Sequence, residues 1–434
     1  MSRIQRIIAR EVLDSRGRPT VEVEIDCGDR RIGRAIVPSG ASTGKFEAVE
    51  KRDGEETRYD GDGVRQAVEA VGKIIAHEII GLDPRDQFTI DDRLLQLDGT
   101  PNKSRLGANA VLGVSLASAH AAAAVDRRAL FVHLHELYAK VKERDAMKGT
   151  AEASVSPPTM PVPMINMISG GLHAGGNLDF QDVLIMPVGA PRFAVGLEWT
   201  VQVYRRLGAL LTAAGYEGRL VGDEGGFGPR LPNNREAIEM VVRAIKAAGL
   251  RPGEDVTLAL DVAATHFHDG SHYCLSATGS RMLSSDEMID RLSALVDEYP
   301  ITWIEDGLAE EDWGGWRALT TRLGPRVKLL GDDLFVTNYQ RLRRGIDEQV
   351  ANAVLIKVNQ IGTLTEALEA TYLAASTGYA RVVSARSGET EDTTIADLAV
   401  AVAADSIKIG SIVRGERLAK YNQLLRIDEQ IFGG

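Results

Sequence analysis

Four short apolar runs in the second half of this 434-residue chain each close on a charged residue and give way to a helical stretch: Leu258-Ala-Leu-Asp261, Thr302-Trp-Ile-Glu305, Lys328-Leu-Leu-Gly-Asp332 and Ala353-Val-Leu-Ile-Lys357. Recurrent strand-then-helix units predict an α/β barrel. In such a barrel the C-terminal strand ends converge on one mouth, where these acids and the lysine fall. A lone acid closing a strand is ordinarily the polar edge of a turn. Three that converge repel one another unless a cation neutralises them, and hard oxygen donors suit Mg²⁺. Asp261, Glu305 and Asp332 are therefore the candidate metal ligands.

Lys357 opens the stretch Lys357-Val-Asn-Gln-Ile-Gly-Thr363 directly after apolar residues. An edge-strand lysine would extend to water, whereas one inside a barrel must be paired or deprotonated. Desolvated beside a divalent metal, its pKa is expected to fall, which would fit it as a general base near neutral pH.

Two further stretches have the composition of a site. Gly222-Asp-Glu-Gly-Gly-Phe-Gly228 sets paired acids in a glycine-rich turn that a ligand can approach, although a plain turn explains it too. Ser384-Ala-Arg-Ser-Gly-Glu-Thr390 follows a β-branched run and offers an arginine fork, hydroxyls and turn amides to a phosphate. The loop Pro38-Ser-Gly-Ala-Ser-Thr-Gly44 reads as a connector or a mobile lid.

The net charge of −11, with no basic run, sets a repulsive field against nucleic acid. Cys27 and Cys274, far apart, imply neither a disulfide framework nor a cysteine zinc site. With no secretory pattern at the start and no apolar run of roughly 18 residues expected to span a membrane, the reading is a soluble cytoplasmic protein. Residues up to about 60 alternate as strands (Thr20-Val-Glu-Val-Glu-Ile25), and Val64 to Ala124 turns helical. The aperiodic Met147–Pro163 stretch is the linker candidate. An N-terminal α+β capping domain over 1–146 and a barrel over 147–434 are expected.

These residues together carry a resemblance. Glu11-Val-Leu-Asp-Ser-Arg-Gly17, the loop from Pro38 to Gly44, Gly107-Ala-Asn-Ala-Val-Leu-Gly113, Gly222 to Phe227, Gly331-Asp-Asp-Leu-Phe-Val-Thr-Asn338, Lys357 to Thr363, Ser387 to Leu398 and Ala419-Lys-Tyr-Asn-Gln-Leu-Leu-Arg426 resemble the enolase family nearly end to end. The resemblance implies an enolase-type modified TIM barrel with an N-terminal α+β cap. It further implies two Mg²⁺ per site, a small phosphorylated carboxylate substrate, and a homodimer or an assembly of dimers. Asp261, Glu305 and Asp332 would hold the main metal, and Ser42 would help with the second. Lys357 would be the base, Lys408 would bind the substrate carboxylate, and Glu224 would be the acid. His173 would lie near the phosphate gripped by Arg386 and Ser387.

Two departures stand out. The family pattern has histidine where this chain has Ala385, and glutamate where it has Asp182. Smaller ones are His266, Arg205 and Gly415. The first two fall, by resemblance, around the substrate's hydroxyl and phosphate. They lead to the expectation of a specialised paralogue with room at Ala385 for a second, nucleotide-activated phosphonate substrate, after the precedent of carboxyphosphonoenolpyruvate synthase. The alternatives are a glycolytic phosphopyruvate hydratase and an inactive enolase-like binding protein.

Overall fold

The computed structural model describes residues 2–433 apart from 41–43, 147–154, 278 and 280. The alternation near the start folds as an antiparallel sheet of β1 (Arg6–Leu13), β2 (Pro19–Asp26) and β3 (Ile32–Ile36), with β2 central. Val21, Val23 and Ile25 share one face by the period of two and are fully buried. The helix Ala108–Asp126 lies on β2 and β3, where its alanines let backbones approach closely.

That helix bears on the expectation that no segment spans a membrane. By length and composition it is apolar enough to cross a membrane, yet 83% of its apolar window is buried inside the protein, as in a core helix. No other described helix passes that test.

The barrel is closed by β4 (Val162–Ser169), β5 (Asp182–Met186), β6 (Thr257–Asp261), β9 (Ile301–Glu305), β10 (Lys328–Gly331), β11 (Ala353–Ile356), β12 (Ala380–Ser384) and β13 (Ser406–Gly410). A small hairpin of β7 (Tyr273–Leu275) and β8 (Arg281–Leu283) intervenes outside it. All neighbours are parallel except at β5, which runs antiparallel to both β4 and β6. Its direction decides where Asp182 stands. As the first residue of a reversed strand, Asp182 faces Asp261, the last residue of β6, at the same end of the barrel.

Met164, Leu184, Leu330, Leu355 and Val382 fill the barrel interior, and the outer helices pack around it. Each fully buried side chain of this size contributes about 1.5–3 kcal/mol before entropy is counted. We propose the cap–barrel boundary at 146/147, as the linker composition suggests; the segment beside it lies outside the described residues.

Candidate active site

Strand register alone gathers the charged tips. Asp261 pairs with Glu305 across β6 and β9, Glu305 with Leu330 two residues before Asp332, and Ser384 with Lys408 across β12 and β13. Lys408 Nζ donates to Asp261 Oδ2 and to Glu305 Oε2, each at 2.7 Å. Asp332 accepts from Lys357 Nζ and from Gln360 Nε2 at 2.8 Å. Three buried carboxylates thus meet two ammonium groups in one pocket.

The backbone just past these tips is strained. Ala263, Asp306, Val336 and Thr337 all have φ between +41° and +55°, which costs on the order of 1–3 kcal/mol at a β-branched residue. Asp306 offsets part of this by accepting from the N–H groups of Asp332 at 3.0 Å and Asp333 at 2.8 Å.

The electrostatics follow from crowding. Burial and then Asp261 push Glu305 up to about 8. Burial acts against both lysines, but carboxylates outweigh it: Asp332 raises Lys357, and Asp261 with Glu305 raises Lys408. The expectation of a lowered Lys357 assumes a divalent ion beside it; with Asp332 as its partner instead, the adjacent carboxylate holds the proton on the amine. The donor set fits a divalent cation, because Asp261, Glu305 and Asp332 are hard, buried, mutually repelling donors whose three negative charges exceed the two ammonium groups beside them. Asp306, Asp332 and Asp333 also bring ligand atoms within 4.8 Å of one another.

Across the mouth lies a second cluster, His173, Asp182 and Glu224, likewise within 4.8 Å. His173 Nδ1 is 2.9 Å from Asp182 Oδ2, and Asp182 Oδ1 accepts from Ser169 Oγ at 2.8 Å. Asn166 Nδ2 donates to Glu224 Oε2 at 2.9 Å, while His173 Nε2 stands 3.9 Å from Glu224 Oε1. Burial disfavours the imidazolium, but Asp182 and Glu224 outweigh it and lift His173 to about 9. Glu224 is lowered despite its burial, by His173 and then Arg417.

Arg386 is buried, donating to Asn359 Oδ1 at 2.8 Å and to both Glu47 oxygens at 3.1 Å. Ser387 and Ala385 are buried beside it, and the Ala385 N–H donates to Lys408 O at 2.8 Å. Gly388 is pressed against the cap: a Cβ there would sit 2.4 Å from Asp14 Oδ2 and 2.6 Å from Ser39 O, so no larger residue fits. The structure brings every candidate residue to this mouth except Ser42, which lies outside the described residues. Sequence reasoning missed Asn166, Glu47 and Asp306. Only Gln360, inside the Lys357–Thr363 stretch, carried a usable signal.

Residues 157–433 match the family model of the enolase C-terminal TIM barrel domain, and residues 4–134 match that of the enolase N-terminal domain. This chain belongs to the enolase family. A protein of Acidothermus cellulolyticus named enolase is 54% identical to it over 431 residues, covering 99% of this chain and 95% of that protein. Identity at that level along both domains favours the ordinary enolase reading over a divergent paralogue. The expectation of carboxyphosphonoenolpyruvate synthase finds no support in it.

Proposed function

We propose that this enolase-family enzyme dehydrates 2-phosphoglycerate to phosphoenolpyruvate, the glycolytic reaction. The observation that carries the reading is the register-set convergence of Asp261, Glu305 and Asp332 with Lys357 and Lys408. Among the described residues, no feature of the site calls for a second, nucleotide-activated phosphonate substrate.

In this reading Asp261, Glu305 and Asp332 hold one Mg²⁺, and Ser42 contributes to a second. Bound there, the ions supply positive charge where the substrate carboxylate gains a second negative charge. Lys357, freed of its proton once a divalent ion takes over the charge of Asp332, would take the C2 proton onto Nζ, and the C–H electron pair passes into the carboxylate. Lys408, at the far side of Asp261 and Glu305, binds that carboxylate. The pair then returns to form the C2–C3 double bond, and the C3 hydroxyl leaves as water with a proton from Glu224. At rest that proton sits on His173 and Glu224 is a carboxylate, so His173 passes it to Glu224 only as the substrate's negative charge enters the mouth. Arg386 and Ser387 hold the phosphate, which requires Glu47 to share or release the guanidinium. Asp182 orients His173 in this scheme, a shorter reach than the family's glutamate. The same reading places the enzyme in the cytoplasm as a homodimer or assembly of dimers.

The test is purified protein with Mg²⁺ and 2-phosphoglycerate, with and without nucleotide-activated phosphonoformate, read by phosphorus NMR. Phosphoenolpyruvate formed without the second compound is the expected result. A product that appears only when it is added would reverse the choice.

A further inference from the structure

The C-terminal helix Gly415–Phe432 carries two cations and a phenol on one face, Arg417, Lys420 and Tyr421, spaced as helical neighbours three and four residues apart. All three are almost wholly buried, with Arg417 and Lys420 at 0% exposure. Buried cations are costly unless their protons are used, and these are used largely on backbone carbonyls.

Arg417 Nη1 donates to Arg386 O at 2.6 Å and Ile409 O at 2.9 Å, and Nη2 to Ser387 O at 2.7 Å. Lys420 Nζ donates to Thr390 O at 2.7 Å and lies 2.7 Å from Glu389 Oε2, while Glu389 Oε1 accepts from the Arg386 N–H at 3.0 Å. Tyr421 donates its hydroxyl to Gly410 O at 2.8 Å. Gly410 has φ of +115°, and a Cβ there would sit 3.0 Å from the Arg417 side chain.

The carbonyl and the N–H of Arg386 are thus fixed from the same helix face. That face also fixes the two residues following Lys408. Arg386 and Lys408 are the cations assigned above to opposite ends of the substrate.

We propose that Arg417, Lys420 and Tyr421 form a positioning clamp that sets the spacing between the phosphate-binding loop and the carboxylate-binding lysine. They are specificity determinants for a substrate of one length, though none touches it. The inference rests on the proposed enolase reaction for its consequence in turnover. Its effect on anion binding can be read without that reaction.

The experiment compares wild type, R417K, Y421F and the exposed control R426K, all with Mg²⁺. For each it measures KM and kcat for 2-phosphoglycerate, the dissociation constant for inorganic phosphate by phosphorus NMR, and the melting temperature. R417K, which cannot reproduce the fork, is expected to raise KM and the phosphate constant about 10- to 100-fold, with kcat within about threefold. Y421F removes one hydroxyl and is expected to raise both about 2- to 10-fold. If R417K does not fold, Y421F decides.

Lowered melting temperatures with phosphate and substrate constants unchanged from R426K would overturn the clamp, since a merely structural role predicts that. A fall in kcat at constant KM would overturn it too, as would a wild type that binds no phosphate. A wild type that binds phosphate but leaves 2-phosphoglycerate untouched would instead refute the enolase reading, with the clamp still judged on the phosphate constants.

Discussion

Lys357→Met separates catalysis from architecture at the residue on which the mechanism turns. It deletes the amine while keeping an unbranched side chain. The local backbone stays tied, because the Lys357 N–H donates to Thr337 Oγ1 at 2.9 Å. Asp332 loses the ammonium but keeps the Gln360 bond at 2.8 Å. Stripping one partner from a buried ion pair costs about 3–5 kcal/mol. Here the lysine side chain is 14% exposed and Gln360 still donates, so about 2–3 kcal/mol is expected, a melting shift of a few degrees. The catalytic loss is separate. A positioned general base contributes roughly 10²–10⁴ in rate, or about 3–5 kcal/mol of barrier. The assay follows the C2 proton of 2-phosphoglycerate in D₂O with saturating Mg²⁺ by proton NMR, alongside circular dichroism. Exchange should slow at least ~100-fold in a folded variant. A folded variant exchanging within about tenfold of wild type would refute the assignment of Lys357 as base.

Restoring the family's histidine with A385H is expected to change kcat/KM for 2-phosphoglycerate by less than about tenfold, since the phosphate is proposed to rest on Arg386 and Ser387; a rise of about 100-fold would reinstate specialisation. Mg²⁺ should raise the melting temperature in a titratable way, with about 2.7 kcal/mol gained at a hundredfold excess over its dissociation constant. D261N should abolish that gain, and an unaltered Mg²⁺ response in D261N would remove Asp261 from the ligand set. Burial lifts Asp91 to about 6, although Thr365 and Gln87 donate to it, so the folded state holds its proton more tightly than the unfolded chain. The stability this contributes is fully present below about pH 4 and lost as pH rises through 6, on the order of 3 kcal/mol. D91N should show a melting profile that falls less between pH 4 and 7 than that of wild type, and parallel profiles would contradict the assignment.

The barrel and its charged tips were legible because they rest on local pattern. Asp261 and Glu305 end their strands, and Asp332 and Lys357 follow theirs by one residue. The direction of β5 was not legible in its own residues, since Asp182-Val-Leu-Ile-Met186 reads the same in either sense. Glu47 was hidden for a different reason. It is 339 residues from Arg386 in sequence, and only the docking of cap on barrel pairs them. Arg417 and Lys420 look like the solvated face of a charged helix until the barrel covers them.

The two departures from the family pattern gain meaning from where charge sits around the mouth. On one side, Asp332 faces Lys357 and Asp261 with Glu305 faces Lys408, so every residue proposed for proton removal is present and paired. On the other, Asp182 is taken up by Ser169 and His173, with no carboxylate oxygen left over for the substrate except by sharing. The glutamate-to-aspartate change therefore need not leave a gap: the shorter chain buttresses His173, whose proton is held by two acids. In the proposed reaction, loss of the family's histidine at Ala385 removes a second imidazole from the same end of the substrate, which would leave His173 and Glu224 as the proton source for the departing hydroxyl. Any penalty from these two positions is then expected to fall first on carbon–oxygen cleavage, because among the described residues no hydrogen bond links either side chain to Lys357 or Lys408, although the Asp182 charge also helps hold the proton on Lys408.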